Sequence, residues 1–190
     1  MVKLEELGDN LYQIVHLTKE WEMKCKLFKT NPEGKGLETY INYFALSDEI
    51  DGVSRTYLIV DRESQEIVAY FTLRTGLITV CRGLFKGFDT RTGIELANFA
   101  VNEIYRHANV VRPKLGSYIF DTFIIPLVKS ISEYVGAKYL YIFALPKYKL
   151  MEHYKTLGFT TTTESTERFV YRHVKPAYDK DCRFMFQRIN

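Results

Sequence analysis

With 190 residues, 46% of them hydrophobic and 26% charged, the chain can bury a core unaided and is neither disordered nor fibrous. Lys and Arg number 26 against 23 Asp and Glu, a surplus too small to imply nucleic acid by itself. Three cysteines (Cys25, Cys81, Cys182) form an odd set with no C-x-x-C pair, which argues against a disulfide framework or a zinc site of the usual spacing. His16, His107, His153 and His173 show no metal spacing either, so no metal is expected. A reducing cytoplasm is the natural setting. Met1 to Leu7 mixes charges and lacks a signal peptide's apolar region, and no apolar run approaches the roughly 18 residues of a membrane span. One domain over 1–190 is expected, with no membrane.

In chain order, Leu17, Trp21, Cys25 and Phe28 recur at helical spacing and predict a helix over 17–29, ended by Asn31-Pro32. Gly34-Lys35-Gly36 reads as a loop. Leu37, Tyr40, Ile41, Phe44 and Ala45 then predict a second, shorter helix. Val53 to Val60 and Ile67 to Arg74, separated by a polar turn, read as a hairpin, and Leu77 to Cys81 as its extension or a further strand. Arg82 to Gly93 is polar and glycine-spaced, a loop. Ile94 to Val101 is the next strand, and Asn102 to Lys114 an irregular polar connection. From Leu115 a long apolar stripe predicts a helix ending at Gly136, with a kink at Pro126. Lys138 to Leu145 reads as a strand covered on both faces, followed by a helix from Pro146 to Leu157 that Gly158 terminates. Arg168 to Ile189 alternates as two strands joined near Pro176 to Asp181. The strand–helix–strand unit at 94–145 implies local parallel pairing and the opening hairpin antiparallel pairing, hence a mixed sheet.

Residues 94–159 carry the chemistry. The strand 94–101 feeds a loop that ends in Leu115-Gly116-Ser117 at a helix start. Free N–H groups and the positive dipole end favour an anion such as a pyrophosphate there. Gly116 allows close backbone approach, and Arg112 and Lys114 add charge beside it. Tyr154, in Tyr154-Lys155-Thr156-Leu157-Gly158-Phe159, stands one turn before a capped helix end. A tyrosine with a pKa near 10 is protonated at neutral pH and can give a proton to a departing thiolate.

These residues resemble the GCN5-related N-acetyltransferases (GNAT). The resemblance lies in I-E-L-A-N-F-A-V-N-E-I-Y-R, in L-G-S-Y-I-F opening a long helix, and in Y-K-T-L-G-F after a strand. It covers roughly residues 50–190, and the helical pair at 17–46 would form an acceptor-site wall. It implies an α/β fold with a central mixed twisted sheet flanked by helices. It implies acetyl-CoA as co-substrate in a cleft between splayed strands 94–101 and 138–145. The pantetheine arm would pair with the backbone of Phe99, Ala100 and Val101, and the pyrophosphate would rest on Leu115, Gly116 and Ser117. A primary amine would attack the thioester directly, with a backbone N–H near Phe99 stabilising the oxyanion, Tyr154 as proton donor to the thiolate and Glu95 as base through water. The family's pyrophosphate loop reads Q/R-x-x-G-x-G/A. Here Val111, Lys114 and Gly116 occupy those positions, and the loop from Arg106 is about five residues longer than usual.

The acceptor stays open. The hairpin Ser54–Val60 and Ile67–Leu73 is similar to that of GNAT toxins that acetylate aminoacyl-tRNA, for which Arg106, Arg112, Lys114 and the basic tail (Arg168, Arg172, His173, Lys175, Lys180, Arg183, Arg188) could hold phosphates. A non-catalytic CoA-sensing or protein-binding module is the third reading, and a homodimer is open. Gly34-Lys35-Gly36 follows no strand and is not a P-loop. Cys81 and Cys182 read as packing residues.

Overall fold

A computed structural model describes residues 4–81, 87–173 and 181–189. In chain order the elements are β1 (Tyr12–His16), α1 (Glu22–Cys25), α2 (Lys35–Tyr43), α3 (Ala45–Ile50), β2 (Arg55–Asp61), β3 (Ile67–Cys81), β4 (Phe88–Val101), α4 (Glu103–Ala108), α5 (Leu115–Ile119), a π turn (Phe120–Ile124), α6 (Ile125–Val135), β5 (Tyr139–Ala144), α7 (Tyr148–Thr156), β6 (Thr160–Thr161), α8 (Glu164–His173) and β7 (Arg183–Arg188). The seven strands form one sheet in the order β1-β2-β3-β4-β5-β7-β6. The pairs β1–β2, β2–β3, β5–β7 and β6–β7 are antiparallel and β4–β5 is parallel, so the sheet is mixed as expected.

The chain groups into two units, Met1–Arg74 with Leu96–Ser130, and Thr75–Glu95 with Ile131–Asn190. The core of the first gathers Leu17, Cys25, Phe28, Ile41, Leu58, Tyr70 and Ala100. The stripe read at Leu17, Cys25 and Phe28 is therefore buried, but regular helix there shrinks to a 3-10 turn (Lys19–Trp21) and the four residues of α1. The expected second helix is two, α2 and α3, broken at Phe44. Gly34-Lys35-Gly36 is not a loop but the entry to α2, where Lys35 and Lys29 bond Glu38 and hold its carboxyl down to about 2. The core of the second unit gathers Ile78, Tyr141, Val170 and Phe184. The ring of Tyr141 lies over Gly93 and Gly76, and a Cβ on Gly76 would stand far inside contact distance of its hydroxyl oxygen.

Four further expectations are corrected. β1 is a strand where none was expected. The expected loop 82–93 is β4 from Phe88 onward, carried by β-formers and an Arg91–Asp89 ion pair, while residues 82–86 lie outside the described ones. The connection 102–114 holds α4, whose start is capped by Asn102 Oδ1 accepting from Ile104 N–H at 3.2 Å. The first of the two tail strands is a helix, α8. Thr166, Glu167 and Val170 turn inward at helical rather than alternating spacing, and Glu167 accepts from Arg183 Nε at 2.9 Å and from Phe184 N–H at 3.1 Å. The join at 176–180, with Lys175 and Lys180, lies outside the described residues, as do the side chains of Cys81 and His173.

The expected kink at Pro126 takes the form of the π turn. Proline lacks an N–H and its ring collides with the carbonyl four residues back. The preceding turn widens, and Ile125 N–H bonds the carbonyl of Phe120. From Leu115 to Val135 the helix runs 21 residues and is, by length and composition only, apolar enough to cross a membrane, although Asp121, Lys129 and Glu133 interrupt its apolar run. Ile119, Phe120, Phe123 and Ile124 are fully buried in the protein itself.

Burial pushes the hydroxyls of Tyr154 and Tyr171 up to about 12, raises Tyr70 well above its ordinary value, and lifts the Cys25 thiol to about 12. All four pKa values are raised in the folded state. The stability they contribute is complete below their unfolded values, near 8.5 for the thiol and 10 for tyrosine, and is lost as pH rises through the folded ones. Thermal melts are therefore expected to hold steady at pH 7 to 8 and to fall between about pH 9 and 12. A Tm unchanged across that interval would contradict this burial.

Candidate active site

The strand end and helix start singled out by sequence both lie in the first unit. β4 runs out through Phe99, Ala100 and Val101, and Asn102 closes it, with Nδ2 donating to Ile67 O at 2.8 Å and N–H to Val68 O at 2.8 Å. Lys114 then adopts φ 54°, ψ 43° as the residue that opens α5. That left-handed conformation suits glycine, and the family pattern has glycine at this position. Lys114 therefore keeps the backbone shape and turns an exposed ammonium to solvent. Leu115 is buried, and a Cβ on Gly116 would lie 4.0 Å from Val101 Cγ2. The first turn of α5 thus lies against the end of β4, bringing Val101 and Gly116 together. No side chain caps this start, and its first backbone bond is Tyr118 N–H to Lys114 O at 3.1 Å, so the N–H groups of Leu115, Gly116 and Ser117 lead the helix.

Arg112, expected to add charge beside that turn, is paired with Asp9. Its Nη2 lies 3.3 Å from Asp9 Oδ2, and its guanidinium stacks 4.7 Å from the Tyr118 ring centroid. Asp9 also accepts the Tyr118 hydroxyl, and its other oxygen accepts from Leu11 N–H at 2.8 Å and Tyr12 N–H at 2.7 Å. Burial pushes the Asp9 carboxyl upward, but these bonds and the Arg112 charge outweigh it and leave it below its ordinary value. Asp9 and Tyr118 were not singled out by sequence, because nothing local joins residues about a hundred positions apart. Two other donors of the first unit, Arg74 Nε and Asn98 Nδ2, are buried without a hydrogen-bond partner among the described residues.

Glu95 and Tyr154 both belong to the second unit. Glu95 is 4% exposed, so it is no solvated strand carboxylate, and it shares its face of β4 with its register partner in β5, Tyr141. Tyr154 lies near the end of α7. Gly158, at φ +90°, ends that helix as expected, and Phe159 N–H bonds Tyr154 O at 3.0 Å. Phe159 packs edge-on to the Tyr154 ring at 5.6 Å between centroids. Burial, which pushes the hydroxyl up to about 12, keeps it a donor through the neutral range. Among the described residues no group of His, Cys, Asp and Glu could hold a metal.

No protein-family model and no curated protein matches the chain by sequence. Solved structures do match its fold. A tyrosine-to-phenylalanine mutant of the toxin AtaT, bound to the C-terminus of the antitoxin AtaR and acetyl-CoA, superposes with a TM-score of 0.67 at 16% identity over 95% of this chain and 94% of that one. A tyrosine-to-phenylalanine mutant of KacT gives 0.68 at 15% identity over 95% and 96%. AtaT complexed with acetyl-methionyl-tRNAfMet gives 0.64 at 16% identity over 91% and 93%. With its mixed seven-stranded sheet in this strand order, the chain has the fold of the GCN5-related N-acetyltransferases.

Proposed function

We propose that the protein transfers the acetyl group of acetyl-CoA directly to a primary amine. The observation that carries this reading is the start of α5 laid against the end of β4, with three leading N–H groups beside Gly116. The pantetheine arm pairs with the backbone of Phe99, Ala100 and Val101, and the pyrophosphate meets Leu115, Gly116 and Ser117 while the Lys114 ammonium screens its charge. The amine nitrogen bonds the acetyl carbonyl carbon and the C–S bond breaks. Tyr154 gives its proton to the departing sulfur as that bond breaks, and recovers it from solvent. Glu95 takes the proton lost by the new ammonium through water.

Among amines, an aminoacyl-tRNA is favoured by a toxin of this fold that has been solved with acetyl-methionyl-tRNAfMet. For the phosphate-holding part of that reading, Arg106 is paired to Glu103 at 2.7 Å and Arg112 to Asp9, which leaves Lys114 and the basic tail. A cytoplasmic setting, where Cys25 and Cys182 stay reduced, fits this reading.

The test is release of free CoA thiol from acetyl-CoA in the presence of small amines, peptides and bulk charged tRNA, with the acetylated product identified by mass. Release with charged tRNA above all is expected. Binding of CoA without release from any acceptor would replace the enzyme by a CoA-sensing module, and no binding at all would remove both.

A further inference from the structure

Arg112 sits one turn ahead of the proposed phosphate site, yet its side chain is aimed at Asp9 and the Tyr118 ring. Asp9 is a fixed negative charge at the same place. Tyr118 is two residues beyond Gly116 along α5, and its hydroxyl ends on the Asp9 carboxylate. That carboxylate therefore lies on the order of a Debye length, roughly 10 Å at 0.1 M salt, from any anion held at Leu115–Ser117. Left alone, it would repel a diphosphate. It cannot simply be absent, because it also organises the chain entry to β1 by accepting from Leu11 and Tyr12.

We propose that Arg112 is a positioning residue that neutralises Asp9, and so makes the first turn of α5 receptive to the diphosphate of CoA, rather than a phosphate ligand itself. This rests on the acetyl-CoA reading above. It assigns the acidic partner an opposite sign of effect. Removing Arg112 weakens CoA binding by exposing a like charge, and removing the Asp9 charge as well restores it. A direct arginine–phosphate contact gives back no more than the gain Asp9→Asn shows on its own. Asparagine at position 9 keeps an oxygen for the Leu11 and Tyr12 amides, so the local turn survives the charge removal.

The experiment is calorimetric titration of CoA into wild type, Arg112→Ala, Asp9→Asn and the double variant, at 0.05 M and 0.5 M salt, with thermal melts and kcat and KM for acetyl-CoA alongside. Arg112→Ala is expected to weaken binding about tenfold at low salt, with KM raised in step and kcat within about twofold. The double variant is expected within about twofold of wild type. The deficit of Arg112→Ala shrinks at 0.5 M salt as the repulsion is screened. A double variant that gains over Arg112→Ala no more than Asp9→Asn gains over wild type overturns the proposal in favour of direct contact, and so does a kcat that falls with affinity. No heat from wild type with CoA overturns the acetyl-CoA reading itself and this inference with it.

Discussion

Tyr154→Phe is expected to lower kcat for acetyl transfer by at least about 100-fold, within the range usual for loss of a positioned acid. CoA affinity and Tm should stay close to wild type. The change deletes one oxygen and keeps the ring that meets Phe159 edge-on at 5.6 Å, so packing survives. The pH dependence makes the test specific. With the hydroxyl pushed up to about 12 by burial, Tyr154 stays protonated at every pH from 6 to 10. The wild-type profile in that window should carry no limb from this residue, and the variant's profile should keep the same shape at a uniformly lower level. A turnover unchanged by the substitution, or a profile whose shape changes between pH 6 and 10, removes Tyr154 from the donor role.

The largest stability effect is expected in the second unit. Gly76→Ala places a methyl group where the Tyr141 hydroxyl already stands, and Tyr141 cannot step aside. Its ring is held by Phe143 at 6.1 Å and Phe184 at 5.8 Å, and its edge lies against Gly93. Overpacking of this kind costs about 2 kcal/mol, which for a chain this long lowers Tm by roughly 4–8 °C. Adding Tyr141→Phe removes the colliding oxygen, and more than half of the loss should return. A Gly76→Ala melt indistinguishable from wild type would show that the aromatic cluster is looser than described.

Much of the sheet could be read from residue order. The β-rich runs at Ile67–Arg74 and Lys138–Leu145, and the glycines at 136 and 158, became strands and helix ends because each signal is local. Gly136 and Gly158 do take positive φ, as a helix terminus asks. What escaped was decided by distant partners. The tail alternates in type yet folds as α8, because Glu167 finds Arg183 and the Phe184 amide across sixteen or seventeen residues. Arg112 is expected to add charge beside the phosphate turn because it stands three residues before Leu115. Its partner Asp9 stands 103 positions away. Lys114 was read as a departure from a glycine pattern, whereas the backbone kept the glycine's left-handed shape with a different side chain on it.

The widened turn ahead of Pro126 also bears on how this helix tolerates insertions and deletions. A π turn is what remains when one residue is inserted into an α-helix without lengthening its axis in proportion. Excising a residue between Phe120 and Ile124 would convert it to ordinary pitch, drive the pyrrolidine ring onto a carbonyl, and rotate everything upstream by about 100° around the axis. Leu115 and Ile119 would swing off their buried side, and the amides of the opening turn would swing with them. Relatives of this chain that lack the proline can dispense with the extra residue, so indel and imino acid should be gained and lost together.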